Sequence, residues 1–208
     1  MLKDLSLEVF VREVASNSPA PGGGSVAAMS GAQAAGLLSM YCNLSQNREK
    51  LGDAVDFLQE SGEEARFLMT KLLETIDEDT VAFNRVMEAF RLPKESEEEK
   101  AARKEAIQEA TKQAAEIPMH SARGSLRILS LVNETAGKGN PMAITDLGVA
   151  NLQAYAGITG ACYNVRINLG TIKDRELVED FNREVNEILK EGQHLFEENK
   201  RIIEKEIQ

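Results

Sequence analysis

Pro19-Ala20-Pro21-Gly22-Gly23-Gly24-Ser25-Val26-Ala27-Ala28 is the stretch on which the fold turns. Two prolines stop one helix, three glycines leave the main chain bare, and Ser25 stands where a cap for the next helix is expected. Main-chain N–H groups at such a helix start suit an anion or a flat polar ligand. Gly22 to Ala27 also fits the GxGxxA turn of dinucleotide-binding folds, but no strand signal leads into it and no βαβ pattern surrounds it. The sequence holds no GxxxxGK[ST] phosphate loop. What remains is a turn through bare backbone between two helices.

The flanking sequence extends that reading. Ala, Glu, Lys, Leu and Gln dominate, and alternating apolar runs are short. A first helix is expected from about Leu7 to Ser16, and a small-residue helix from Ser25 to about Gln46. A long amphipathic helix follows from Leu51 to Arg91, stopped by Pro93. The charged segment Glu95 to Lys112 opens another, which Pro118 should kink or break before it ends near Thr135. Gly137-Lys138-Gly139 turns the chain, and Asn140-Pro141 reads as cap and first residue of a helix to Leu169. A last charged helix fills Asp174 to Ile207. The expectation is one domain over residues 1–208, a bundle of about six helices.

Bulk properties narrow the function. The net charge of −10 over 208 residues argues against nucleic acid and against anionic membranes. Cys42, Cys162, His120 and His194 lie far apart in sequence, so neither a disulfide framework nor a metal site is expected. No basic-then-apolar leader is present, which points to the cytoplasm. The apolar run from Gly22 to Met40 carries Gln33 and many Ser, Gly and Ala residues, which suits a packed helix better than a membrane span.

Two helical faces break their own pattern. Leu72, Ile76, Phe83, Val86 and Phe90 form one apolar stripe, and Asp79 fills the vacant place between Ile76 and Phe83. Asp77 and Glu78 point elsewhere and read as exposed acids. A carboxylate turned into a packed interior needs a partner or a proton. Asp79 is therefore either an acid with a raised pKa or one half of a structural ion pair. On the fifth helix Asp146, Ala150, Gln153, Gly157, Gly160, Asn164 and Asn168 share a face of small and polar residues. Such a face lines a cavity for a heterocycle, or packs closely through Gly157 and Gly160. Arg91 and Lys94 bracket the end of the long helix, either to hold an acidic ligand or to complement the helix C-terminus.

Taken together, SPAPGGGSVAA (18–28), DEDTVAF (77–83), AFRLPK (89–94), GNPMAITDL (139–147) and GACYNVRINL (160–169) resemble the formiminotransferase-cyclodeaminase family. The resemblance is to its stand-alone cyclodeaminase or cyclohydrolase type and spans nearly the whole chain. It implies an all-α homodimer acting on tetrahydrofolates. The chain is too short to include a formiminotransferase domain, so only the second activity is expected. That activity converts 5-formiminotetrahydrofolate to 5,10-methenyltetrahydrofolate with loss of ammonia. The alternative within the same family is 5,10-methenyltetrahydrofolate cyclohydrolase, and a third reading is a non-catalytic helical dimer that binds folate or a partner. The family's acid is the second aspartate of its DxDxxAF segment, which falls on Asp79. Gly22, Gly23, Gly24, Ser25, Asp146, Asn164 and Asn168 match recurrent family positions and are expected to bind substrate, with Arg91 and Lys94 added from their placement. No cofactor beyond the folate, and no metal, is expected.

Overall fold

In the computed structural model, residues 1–45, 52 and 54–208 are described. Among them lie six α-helices and no strand: α1 (Leu7–Val14), α2 (Gly23–Asn43), α3 (Ala54–Arg91), α4 (Glu97–Thr135), α5 (Ile144–Leu169) and α6 (Arg175–Ile207). The expected helix ends at Gln46 and Leu51 fall outside the described residues. No helix among the described residues is long and apolar enough to cross a membrane.

The caps follow the sequence closely, with one correction. Ser6 accepts from the Val9 amide, Ser96 and Glu99 form a reciprocal capping box, and Asp174 accepts from the Leu177 amide. Asn140 caps a 3-10 turn, Pro141–Ala143, that runs directly into α5. Ser25 does not cap α2. The helix begins two residues earlier, with Gly22 at the cap position and no side chain of its own to offer.

The uncharged helix α2 is the centre of the bundle, packed against α3, α5 and α4. Its small residues set the spacing. A Cβ on Gly157 would fall 3.1 Å from the Gly31 amide nitrogen and 3.2 Å from the Ala27 carbonyl oxygen. A Cβ on Gly160 would lie 3.1 Å from that of Ala27. This is the close packing expected of Gly157 and Gly160. The crossing draws the start of α2 toward the second half of α5.

Two devices hold the bundle ends. The Tyr41 hydroxyl accepts from the Gly139 amide at 2.9 Å and donates to the Thr135 carbonyl at 3.3 Å. Ser45 accepts from the Asn140 amide at 2.8 Å. The GNP segment therefore docks the α4–α5 turn onto the end of α2. Elsewhere, the fully buried Asn199 donates to the Leu129 carbonyl and to Asn151, clamping α6 to α4 and α5.

Pro118 does not break α4. It sits buried inside the helix and deprives the Ala114 carbonyl of its usual N–H partner. The Asn168 side-chain amide supplies the replacement from α5, at 2.8 Å. A polar side chain on a neighbouring helix thus makes an interior proline compatible with a continuous helix.

Candidate active site

The stripe on α3 changes character along its length. Leu72 and Ile76 are buried in the core, Asp79, Phe83 and Val86 are half-buried, and Phe90 is exposed. The reason is geometric, since the α3–α4 hairpin projects past the end of the α2–α5 pair. Where the core ends, a cavity of about 330 Å³ opens, walled by Gly22, Gly23, Gly24, Asp79, Phe83, Val86, Ala114, Asn164, Ile167 and Asn168, with Pro19 and Ala20 at its edge.

Asp79 is the only ionisable side chain in that wall among the described residues. Its carboxylate meets the start of α2, accepting from the Ser25 hydroxyl at 2.9 Å and from the Ser25 main-chain amide. Ser25 is the third residue of α2, so Asp79 caps from another helix what Gly22 cannot cap itself. Gly24 has to be bare for this: a Cβ there would fall 2.1 Å from Asp79 Oδ1. Burial pushes the Asp79 carboxyl above its ordinary range, and the two Ser25 hydrogen bonds offset only part of that. The stripe anomaly is thus an acid with a raised pKa, and no ion pair with Asp79 occurs among the described residues.

The opposite wall is neutral. The Asn164 amide group donates to the Gly160 carbonyl at 2.8 Å, and that of Asn168 to Ala114. Both partners are carbonyl oxygens, so each side chain must present its NH2 to the protein. Both residues line the cavity, and among the described residues neither Oδ1 takes a hydrogen bond, so each can accept from a ligand. Gly23 completes the approach, with a Cβ position 3.4 Å from Asn164 Nδ2.

Other expected residues lie elsewhere. Ser25 is fully buried and behind the wall, touching Asp79 rather than the cavity. Asp146 is half-buried in the first turn of α5, 18 positions before Asn164 and so about 27 Å from it along the helix. The shared face was read correctly, but a helix this long offers its two ends to different neighbours. Arg91 and Lys94 are exposed beyond Val86, with no hydrogen bond or ion pair among the described residues. Asp77 is not the exposed acid expected; it is half-buried and accepts from the Leu2 amide, pinning the N-terminal segment to α3. Glu78 is exposed, as read.

Sequence reasoning missed Phe83, Val86, Ala114 and Ile167 as cavity walls. The first two were assigned to a core. Ile167 is 74% exposed yet follows Asn164 by three, a spacing that places both on adjoining sides of one helix. Among the described residues, no group of three or more His, Cys, Asp or Glu side chains is arranged to hold a metal ion.

The cavity of this all-helical bundle thus holds one half-buried, protonatable carboxyl between otherwise neutral walls. Residues 6–187 match the Formiminotransferase-cyclodeaminase family model, and the chain belongs to that family. It is 40% identical over 199 residues to a methenyltetrahydrofolate cyclohydrolase of Methylorubrum extorquens, covering 96% of this chain and 94% of that protein. It is 34% identical over 191 residues to the mouse formimidoyltransferase-cyclodeaminase, covering 92% of this chain but only 35% of the longer protein. The crystal structure of formiminotetrahydrofolate cyclodeaminase from Thermotoga maritima superimposes with a TM-score of 0.89 at 27% identity, over the whole of both chains.

Proposed function

We propose that the cavity receives the reduced pterin of a tetrahydrofolate and that Asp79 transfers the proton in cyclodeamination. The observation that carries this is the solitary buried carboxyl of Asp79 facing the two amide acceptors of Asn164 and Asn168. A pterin presents donors along its pyrimidine edge, which those acceptors suit. The main-chain N–H groups of Gly23 and Gly24 suit its carbonyl. At about 330 Å³ the cavity takes a ring system and leaves the tail outside. Arg91 ends α3 and Lys94 follows in the connection to α4, and the two supply positive charge for the tail carboxylates.

The folate N10 attacks the formimino carbon carried on N5, which reacts as its amidinium cation, giving a tetrahedral carbon that bears a neutral NH2 group and a cationic N10–H. Protonated Asp79 gives its proton to that nitrogen, the carbon–nitrogen bond breaks, and ammonia departs. The proton lost from N10 returns Asp79 to the acid form, so the exchange balances. Holding N10 and the N5 substituent in one cavity supplies proximity, and the reaction as written uses no cofactor and no metal.

A cyclohydrolase reading draws on the relative at 40% identity. Here Asp79 starts as the carboxylate and takes a proton from water adding to the same carbon. Supplying the purified chain with 5-formiminotetrahydrofolate and, separately, with 5,10-methenyltetrahydrofolate tests both. Cyclodeamination releases ammonia and forms the methenyl product from the first substrate; its absence with turnover of the second supports the cyclohydrolase, and turnover of neither supports a non-catalytic binder.

We also propose a cytoplasmic homodimer. Its support is the set of apolar side chains that α5 leaves exposed, with Leu152 at 57% and Tyr163 at 63%.

A further inference from the structure

The Ser25 hydroxyl stands between two acceptors, 2.9 Å from Asp79 Oδ2 and 3.2 Å from the Ile76 carbonyl oxygen. It carries one proton and cannot serve both. With Asp79 ionised, that proton is best placed on the carboxylate, because a hydrogen bond to a charge is the stronger one. With Asp79 protonated, the hydroxyl turns to the Ile76 carbonyl and its oxygen accepts the carboxyl O–H. We infer that Ser25 is a positioning residue that rotates with each proton transfer, keeping the Asp79 carboxyl paired and held at the cavity wall in both protonation states. This rests on Asp79 being the proton-transfer group.

Among the described residues, Ser25 supplies the one side-chain hydrogen bond that Asp79 makes. Helix α2 contains no charged residue. On α3, Asp77 is turned to the Leu2 amide, Glu78 is exposed and Arg85 donates to Gln113. From α5 the cavity face brings the neutral Asn164 and Asn168, while Arg166 is exposed and bonded to Asn186. From α4 it brings Ala114, with Lys112 paired to Asp174 and Glu116 near Arg123. Ser25 is 0% exposed, so water does not substitute for it from the solvent side.

The test compares pH–rate profiles of wild type, Ser25→Ala and Asp79→Asn with 5-formiminotetrahydrofolate. Without the hydroxyl, the ionised carboxylate loses its stronger bond, so Ser25→Ala should move the alkaline limb of kcat upward by about half to one pH unit. The plateau should fall by about 3- to 10-fold with KM little changed, since the acid is weaker and less well aimed. If Asp79→Asn keeps the wild-type rate, the underlying reading fails. If Asp79→Asn is inactive while Ser25→Ala keeps both limb and plateau, this inference alone is overturned. Should Ser25→Ala not fold, infrared difference spectra of the wild type, referenced to Asp79→Asn, decide it. A hydrogen-bond-donating carboxyl band at acid pH supports the rotation, and a free-carboxyl band overturns it.

Discussion

The Asp79 carboxylate fills the space that any side chain at residue 24 would need, with Oδ1 only 2.1 Å from the place of a Gly24 Cβ. An acid on α3 and a glycine on α2, far apart in sequence, are therefore one device. The glycine admits the carboxylate to the helix start, and the carboxylate caps the helix that the glycine leaves bare.

Gly24→Ala should hence act on activity more than on folding. Alanine suits a first helical turn, and the atoms it strikes belong to a movable side chain. The displaced carboxyl should lower kcat by about 10- to 100-fold, while the melting temperature falls only slightly. Steady-state kinetics beside a thermal melt check this. A variant that keeps full rate would show that the carboxyl need not sit where it does.

Asp79 also sets a pH dependence of stability. Its folded pKa is raised by burial, above the unfolded value of about 3.9. The favourable contribution is complete below the unfolded value and is lost as pH rises through the folded one. Asparagine offers Ser25 one acceptor oxygen and does not titrate. Asp79→Asn should then match wild type least at alkaline pH, where the variant melts higher, with the gap closing as pH falls. Melting curves across that range measure it.

Asn168 answers a different need. Asn168→Leu strands the buried Ala114 carbonyl and should cost about 1–3 kcal/mol. Pro118→Ala restores the N–H that this carbonyl lacks. The double variant should recover most of the loss, which denaturant titration of the two singles and the double would reveal as strong coupling. Additive losses would contradict the role given to Asn168.

The two reactions of the family should respond oppositely to pH. Cyclodeamination needs protonated Asp79 and should slow as pH rises through its raised pKa, whereas methenyl hydrolysis needs the carboxylate and should quicken over the same window. Profiles of kcat for both substrates with the same preparation test this. Parallel limbs would point to a group other than Asp79.

For the proposed dimer, Leu152→Glu places a charge on the outer face of α5 without touching the cavity. Sedimentation should give a dimer for wild type and a monomer for the variant.

Much of this was legible in the sequence. Helix periodicity, cap residues and prolines located all six helices, and the interrupted stripe isolated Asp79. What local patterns cannot carry is which end of a long helix meets which neighbour. Asp146 and Asn164 share a face, yet only Asn164 reaches the cavity, because α2 crosses α5 between them at Gly157. Likewise, the cap of α2 comes from Asp79 on another helix, a pairing no local motif encodes. The consequence of Pro118 was misread for the same reason, since its remedy, Asn168, lies on α5.

The rate of 5-formiminotetrahydrofolate cyclisation by Asp79→Asn is the most direct measurement. The side chain keeps its size and one acceptor oxygen for Ser25 but can no longer give a proton. A folded variant with kcat lowered by about 100-fold or more is the result expected; a folded variant turning over at the wild-type rate would contradict the assignment of Asp79.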